Sequence, residues 1–450
     1  DALLDEVTAL VEWPVVYEGD FEEAFLAVPQ ECLILTMQLN QRYFAMADDA
    51  GKLTNRFLVV SNLATSDPKA IVAGNERVLT ARLADAKFFF DEDRKTRLEA
   101  RVKKLEGVTF HQKLGTMAQK QERMRKIAGF IAREMDQNED VVRACDRAAA
   151  LCKADLLTGI VGEFPELQGV MGGEYARHDG EPEPVARAIR EQYLPKALEG
   201  ELPQTLPGQV LALADRLDSI AAFFHVGMIP TGSEDPFALR RHATAIVRIM
   251  MDGDKRLDLS PVIDHARAAV REQGFKAAPD VEAQGKRRMT EFLFERVRHY
   301  ARTLHELRDD VLEAVLRSVS TGTIDLIDLL LKMKALQAVT TRPEFDPLIV
   351  GFKRASRIVE KEQWDHKAVN PDLFKDPAEG ELHRHVGNSR QDFNKQMAKG
   401  CYDKALEALV RLKPSIDTFF NGVMVNAEDA ALRNNRLSLL KEVDDLFKSF

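Results

Sequence analysis

Eleven Lys or Arg residues fall between positions 94 and 126: Arg94, Lys95, Arg97, Arg101, Lys103, Lys104, Lys113, Lys120, Arg123, Arg125 and Lys126. Only Glu99, Glu106 and Glu122 oppose them. Such a cluster can displace counterions from a phosphate backbone, which gives a salt-sensitive affinity that is largely blind to sequence. Arg94, Lys95, Arg101 and Lys104 are therefore candidates for RNA contact, with a solvated helix face as the plainer assignment. No G-x-x-x-x-G-K loop, G-x-G-x-x-G turn, G-x-S-x-G elbow or H-E-x-x-H helix occurs anywhere in the 450 residues. A chain of this length that used nucleotides by itself would ordinarily carry such a mark, so the chemistry is expected elsewhere. Cys32, Cys145, Cys152 and Cys401 form no C-x-x-C pair, which argues against a zinc site or a disulfide framework and suits a reducing cytoplasm.

The elements that must position these residues are mostly helical. Leu33 to Met37, Arg42 to Met46 and Arg56 to Val60 are short apolar runs separated by polar turns, and they predict a small antiparallel sheet. From about Ile71 the pattern becomes helical, with loops expected at Gly169–Pro184, Leu202–Gly208 and Pro230–Pro236. The clearest helix is expected from Gln284 to Val319, where Leu293, Val297, Tyr300, Leu304, Leu307, Val311 and Val315 recur every three or four residues. Ser233 to Pro236 reads as a helix start, because Ser or Asp accepts orphan amide hydrogens and Pro suits the first turn. Arg240 and Arg241 behind it suit structural salt bridges, with RNA phosphate as the sharper alternative. The two prolines of Arg342–Pro347 mark a candidate boundary. The net charge of -9 is uneven: residues 345–450 hold 17 basic against 17 acidic side chains, so the acidity lies upstream. No apolar run is long enough to span a bilayer. The chain opens at Asp1 and enters at once into patterned sequence, as expected of a piece of a longer protein that lacks its N-terminal part.

Residues 154 to 182, ADLLTGIVGEFPELQGVMGGEYARHDGEP, resemble a segment of the bacterial glycyl-tRNA synthetase β subunit. So do Pro230 to Arg241 (PTGSEDPFALRR), Glu12-Trp13-Pro14 and Gly74 to Val78 (GNERV), and the likeness runs in order along nearly the whole chain. Residues 140 to 225 resemble, more loosely, the helical fold of His-Asp phosphohydrolases, in which His and Asp hold a divalent metal that activates water. That likeness would give Asp215, within Leu213-Ala-Asp-Arg-Leu-Asp218, the role of the final ligand, and Asp155 that of the paired Asp. Ala154 stands where the histidine should be, so a retained scaffold with a lost metal site is implied, and Asp155 and Asp215 are vestigial positions. His178-Asp179 spells the pair within an expected Gly-rich loop. Lys413 to Asp429, followed by Leu432 to Leu437, resembles the anticodon-binding domain of arginyl- and related tRNA synthetases, over about residues 345 to 450. By position, that resemblance makes Arg433 and Arg436 the preferred RNA contacts, with Asn421, Arg354, Arg357 and Lys361 behind them. Phe419, Phe420, Val423 and Val425 are expected in the core.

The expected architecture is mainly α and multidomain. It comprises the end of an α+β domain with a basic helix (1–110), a degenerate His-Asp-like helical domain (111–275), a helical body (276–344) and an anticodon-binding domain (345–450). The resemblance implies a tRNA-handling β subunit that positions tRNA(Gly) for ATP-dependent glycylation in an α2β2 heterotetramer. This chain would hold no catalytic residue, cofactor or metal; ATP and Mg are expected at the α subunit. Neither a membrane nor DNA is expected as a partner. The alternative is a metal phosphohydrolase with an RNA-binding module.

Overall fold

The computed structural model describes residues 2–135, 138–319, 322–362, 364–365 and 367–450. They form two compact units, one of residues 1–249 with 261–289 and one of 250–260 with 290–450. Among the described residues no helix is long and apolar enough to cross a membrane.

The first unit opens with α1 (Ala2–Leu10), β1 (Val15–Asp20), α2 (Gln30–Gln41), β2 (Phe44–Ala47), β3 (Leu53–Ser61) and α3 (Pro68–Asp93). The strands make an antiparallel sheet in the order β1-β3-β2, with Val15 opposite Ser61 and Phe44 opposite Leu58. This corrects the expected sheet at one position. Leu33 to Met37 lies in α2, whose buried Cys32, Leu33, Thr36 and Met37 share one helical face. Arg42, at φ 58, ends that helix in the left-handed region, and the third strand is β1, which the sequence pattern did not reveal. The Asp48–Gly51 turn is as expected: the Asp48 carboxylate accepts from the amides of Ala50 and Lys52.

The unit continues through α4 (Leu98–Val102), the short hairpin β4 (Thr109–His111) and β5 (Gly115–Thr116), and α5 (Met117–Met135). Then follow α6 (Glu139–Leu151), α7 (Gly159–Glu163), α8 (Val170–His178), α9 (Glu183–Glu191) and α10 (Leu206–His225). Much of the expected loop at Gly169–Pro184 is thus helix α8; only Gly169, at φ 81, and the turn before Glu183 are irregular. Helix α10 is buried on every side, from Pro207 to His225, and its polar Asp215 and Asp218 are buried against Lys120, Lys153 and Arg123. Burial of Leu211, Leu213 and Leu217 contributes on the order of 1.5–3 kcal/mol each. Helices α11 (Leu239–Met251), α12 (Leu259–Glu272) and α13 (Val281–His305) follow. The helix start expected at Ser233–Pro236 falls instead at Leu239. Asp235 still caps it, accepting from the amides of Leu239 at 2.8 Å and Arg240 at 2.9 Å.

The second unit contains the end of α13 and then α14 (Asp309–Ser318), α15 (Leu326–Thr340), α16 (Phe345–Lys361), α17 (Pro377–Met397), α18 (Tyr402–Val410), α19 (Lys413–Gly422) and α20 (Ala430–Lys448). The single helix expected over 284–319 is two. Glu306 turns left-handed at φ 51, and Gln337 bridges the break by donating to the Glu306 carbonyl and accepting from the Arg308 amide. Asp309 and Asp310 then occupy the first turn of α14, where negative charge is favoured. Leu304, expected on the buried face, lies next to this break and is 46% exposed. The core of residues 339–446 gathers Leu382, Val386, Phe393, Leu406, Leu409, Phe419, Leu437, Leu440 and Val443.

Candidate nucleic-acid interface

Helix α16 presents two faces. Leu348, Ala355 and Val359 are buried, while Lys353, Arg354, Arg357 and Lys361 are exposed along the other side, at the spacing that stacks residues on one helical face. With the segment Val423–Asn426 this face encloses a groove of about 600 Å³. The segment alternates as an extended strand does: Val423 and Val425 point into the core at 7% and 8% exposure, leaving Met424, at 77%, and Asn426 outward. Its position is fixed by Arg436, whose Nη1 donates to the Met424 carbonyl at 2.7 Å, and by Asn426 Nδ2, which donates to Glu362 at 3.3 Å.

Among the described residues none of the four groove cations has a carboxylate partner; Glu362 is the acidic residue of the lining. Arg354 packs its guanidinium over the half-buried Phe420 ring, 4.3 Å from the centroid. Cations freed from ion pairs, a planar guanidinium and an exposed thioether together suit a flexible, negatively charged chain with exposed flat bases.

Three C-terminal candidates, Arg354, Arg357 and Lys361, therefore share this groove. Arg433, half-buried, and Asn421, exposed, lie outside its lining. Arg436 is corrected. The residue is 8% exposed, and Nε donates at 2.5 Å to Glu379, which is fully buried. Glu379 also closes the capping box of α17 by accepting from the amides of Lys375 and Asp376. Arg436 is a tether inside the domain, and little of its side chain is left accessible to RNA.

The basic run at 94–126 disperses in space. Lys120 and Arg123 are buried against Asp215 and Asp218, and Arg123 grips Asp218 through hydrogen bonds of 2.6 and 3.1 Å. Arg125 pairs with Asp146, Lys126 with Glu272, and Lys95 with Glu92. Arg94 meets His178 and lies over Phe90. Arg101 donates to the carbonyls of Leu157 and Asp93 and belongs to the packing around the buried Asp93. Lys103, Lys104 and Lys113 are exposed without an ion pair among the described residues, so of the four candidates in this run Lys104 keeps a free charge, and the exposed Arg94 has no carboxylate partner there either.

The vestigial positions Asp155 and Asp215 are both buried. Asp155 Oδ2 accepts from the Gly169 amide at 2.6 Å, and burial pushes its carboxyl up to about 6. Burial also opposes ionisation of Asp215, but Lys120 at 2.8 Å and Lys153 at 3.2 Å outweigh it and hold that carboxyl well below the usual range. Ammonium groups thus stand where a divalent cation would have to bind, and no set of three or more His, Cys, Asp or Glu among the described residues could hold a metal. His178 ends α8 at the surface, and Asp179 accepts there from the Leu98 amide at 2.7 Å. The side chains present do not fit a metal phosphohydrolase.

The family model described as glycyl-tRNA synthetase beta subunit matches residues 1–317. The chain belongs to this family. A second model, the DALR anticodon binding domain, matches residues 348–450, which include the groove. Three proteins, each named glycine–tRNA ligase beta subunit, are similar throughout. That of Ralstonia nicotianae is 46% identical over 99% of this chain and 62% of its own length. That of Citrifermentans bemidjiense is 45% identical over 100% and 64%, and that of Neisseria gonorrhoeae 44% over 98% and 62%. The chain thus spans a little under two thirds of the curated relatives it matches. For this member of the β-subunit family, the sequence pattern did not single out Lys353, Val350, Met424 and Asn426 as groove residues. The signal for Lys353 was available, since it extends the 354, 357, 361 stripe. The signal for Met424 was available too, since alternation with the core positions Val423 and Val425 turns it outward.

Proposed function

We propose that this chain is the RNA-handling part of a glycine–tRNA ligase β subunit, and that the groove between α16 and Val423–Asn426 receives unstacked nucleotides of the tRNA(Gly) anticodon loop. The observation that carries this reading is the stripe of four cations, unpaired among the described residues, that faces an exposed Met424 and includes Arg354 over the Phe420 ring. Phosphate contacts from Lys353, Arg357 and Lys361 position the strand, while base edges and faces meet Arg354, Met424 and Asn426. In this reading glycine activation, with ATP and Mg, takes place on an α partner in a cytoplasmic α2β2 assembly, and this chain binds and presents the tRNA. The family membership and the match to an anticodon-binding domain support it.

The test is the salt dependence of tRNA(Gly) binding. Replacing Arg354, Arg357 and Lys361 together by Gln is expected to lower the slope of log affinity against log salt by about 0.7 for each phosphate no longer neutralised. It should also reduce the preference for tRNA(Gly) over an anticodon-swapped version. If slope and preference both match the parent chain, the groove is not the anticodon site.

A further inference from the structure

A second cavity, of about 330 Å³, lies in the first unit and is lined by Tyr193, Lys196, Arg216, Arg241 and His242 over Asp215. That is the small end of the ligand-pocket range of about 300–1,000 Å³. Its floor is more positive than its carboxylates can balance. Arg216 is 5% exposed and gives its guanidinium hydrogens to the carbonyls of Gln192, Ala212 and Leu194, with no carboxylate bound to it among the described residues. Lys120 and Lys153 both hold Asp215, and Arg123 and Lys120 share Asp218. At the mouth Arg241 is exposed without a partner among the described residues, and Lys196 makes only a long hydrogen bond to the Glu166 carbonyl. Lys120, Arg123, Lys153 and Arg216 are buried with Asp155, Asp215 and Asp218, which leaves one buried positive charge, and at the mouth the exposed Lys196 and Arg241 face the exposed Glu166, which leaves one more. Buried charge without a counter-ion is costly, and a dianion entering from the mouth would relieve it. The walls add neutral polar and aromatic surface. The Tyr193 hydroxyl already accepts from Lys153 at 2.9 Å. His242, kept neutral by burial at a pKa of about 4, makes no ring hydrogen bond among the described residues.

We propose that this cavity binds a phosphate monoester, with Arg241 and Lys196 gripping the phosphate oxygens above the buried Arg216 and with Tyr193 and His242 walling the attached group. The monoester can come from a free mononucleotide or from the 5′-phosphate end of an RNA, which present the same chemistry. The site is separate from the groove on α16 and does not depend on its assignment.

The experiment is calorimetric titration of the intact chain with inorganic phosphate, adenosine 5′-monophosphate, and a short oligoribonucleotide with either a 5′-phosphate or a 5′-hydroxyl. Saturable binding of the monoesters at one site is expected. It should weaken about tenfold or more when Arg241 and Lys196 are replaced by Gln, since neither side chain can then give a charge-assisted hydrogen bond to the phosphate, and it should be indifferent to Arg354→Gln. Both replaced side chains are exposed, so an unchanged melting temperature will show that the fold is intact. Tighter binding of the 5′-phosphorylated RNA than of the mononucleotide would assign an RNA end as the source; the reverse would assign a free nucleotide. Absence of saturable binding at millimolar concentrations, or binding equal in the Arg241→Gln, Lys196→Gln variant, overturns the proposal.

Discussion

Replacing Arg436 by Gln separates a tether from an RNA contact. In the parent chain Arg436 neutralises Glu379, which is fully buried, and supports the Met424 carbonyl that sets the far wall of the groove. Arg436→Gln leaves the Glu379 carboxylate buried without its counter-ion, and removing one partner of such a pair costs about 3–5 kcal/mol. For a body of the second unit's size each kcal/mol is worth roughly 2–4 °C, so its melting temperature should fall by about 6–20 °C. A second substitution, Glu379→Gln, removes the orphaned charge while its remaining carbonyl oxygen can still cap α17. The double variant should recover most of the loss, with the cycle of four proteins giving a coupling of a few kcal/mol. Scanning calorimetry reads the transitions directly. Affinity for tRNA, measured well below the lower transition, should drop in the single variant and largely return in the double one. If Arg436→Gln melts within about 2 °C of the parent and the double variant still binds tRNA poorly, Arg436 touches RNA after all and the tether argument fails.

Other outcomes follow from the first unit. The Asp155 carboxyl, raised by burial to about 6, takes up its proton more readily folded than unfolded. Its contribution is therefore fully present below about pH 4 and is lost as the pH climbs through about 6, a change on the order of 3 kcal/mol. Urea midpoints across that window should fall more steeply with rising pH for the parent than for Asp155→Asn; parallel curves would show that the carboxyl does not titrate there. Gly172→Ala would put a Cβ 2.8 Å from both Asp155 Oδ2 and Ile189 Cγ2, so an overpacking loss of about 1–3 kcal/mol is expected in chemical denaturation, and a neutral result would mean that α8 shifts freely. Asp218→Ala, which strands Arg123 in the core and leaves Lys120 with Asp215 alone, should cost about 3–5 kcal/mol, with Arg123→Met in the same chain restoring a large part; lack of any rescue would place the damage in packing and not in charge.

Elements with their own punctuation were legible in the sequence, and pairings across long separations were not. The Asp48–Gly51 turn, the helical onset near Ile71 and the core positions Phe419, Val423 and Val425 follow from local chemistry. The break at Glu306 was hidden, because the apolar period runs through it and the residue that stabilises it, Gln337, lies 31 positions away. The basic run at 94–126 looked like one surface because charge density is a local count. Its strongest cations are claimed by Asp215 and Asp218, about 95 residues downstream. Arg436 misled for the same reason, since its partner Glu379 precedes it by 57 residues. Arg354, Arg357 and Lys361 fall together in space because one helix carries all three.

The discontinuity of the second unit has a consequence in time. Residues 250–260 belong to it, and three of their bonds are to residues made much later: the Leu259 amide donates to the Ile324 carbonyl, Asp258 accepts from the Ile324 amide, and Arg256 pairs with Asp325. At about 5–20 residues per second, a ribosome needs roughly 3–13 s to reach Ile324 after Leu259. During that interval Leu257 and Leu259, nearly inaccessible in the finished protein, have none of these partners. Slow translation between residues 260 and 324 lengthens the exposure, and holdase chaperones that shield short apolar segments would find their substrate there.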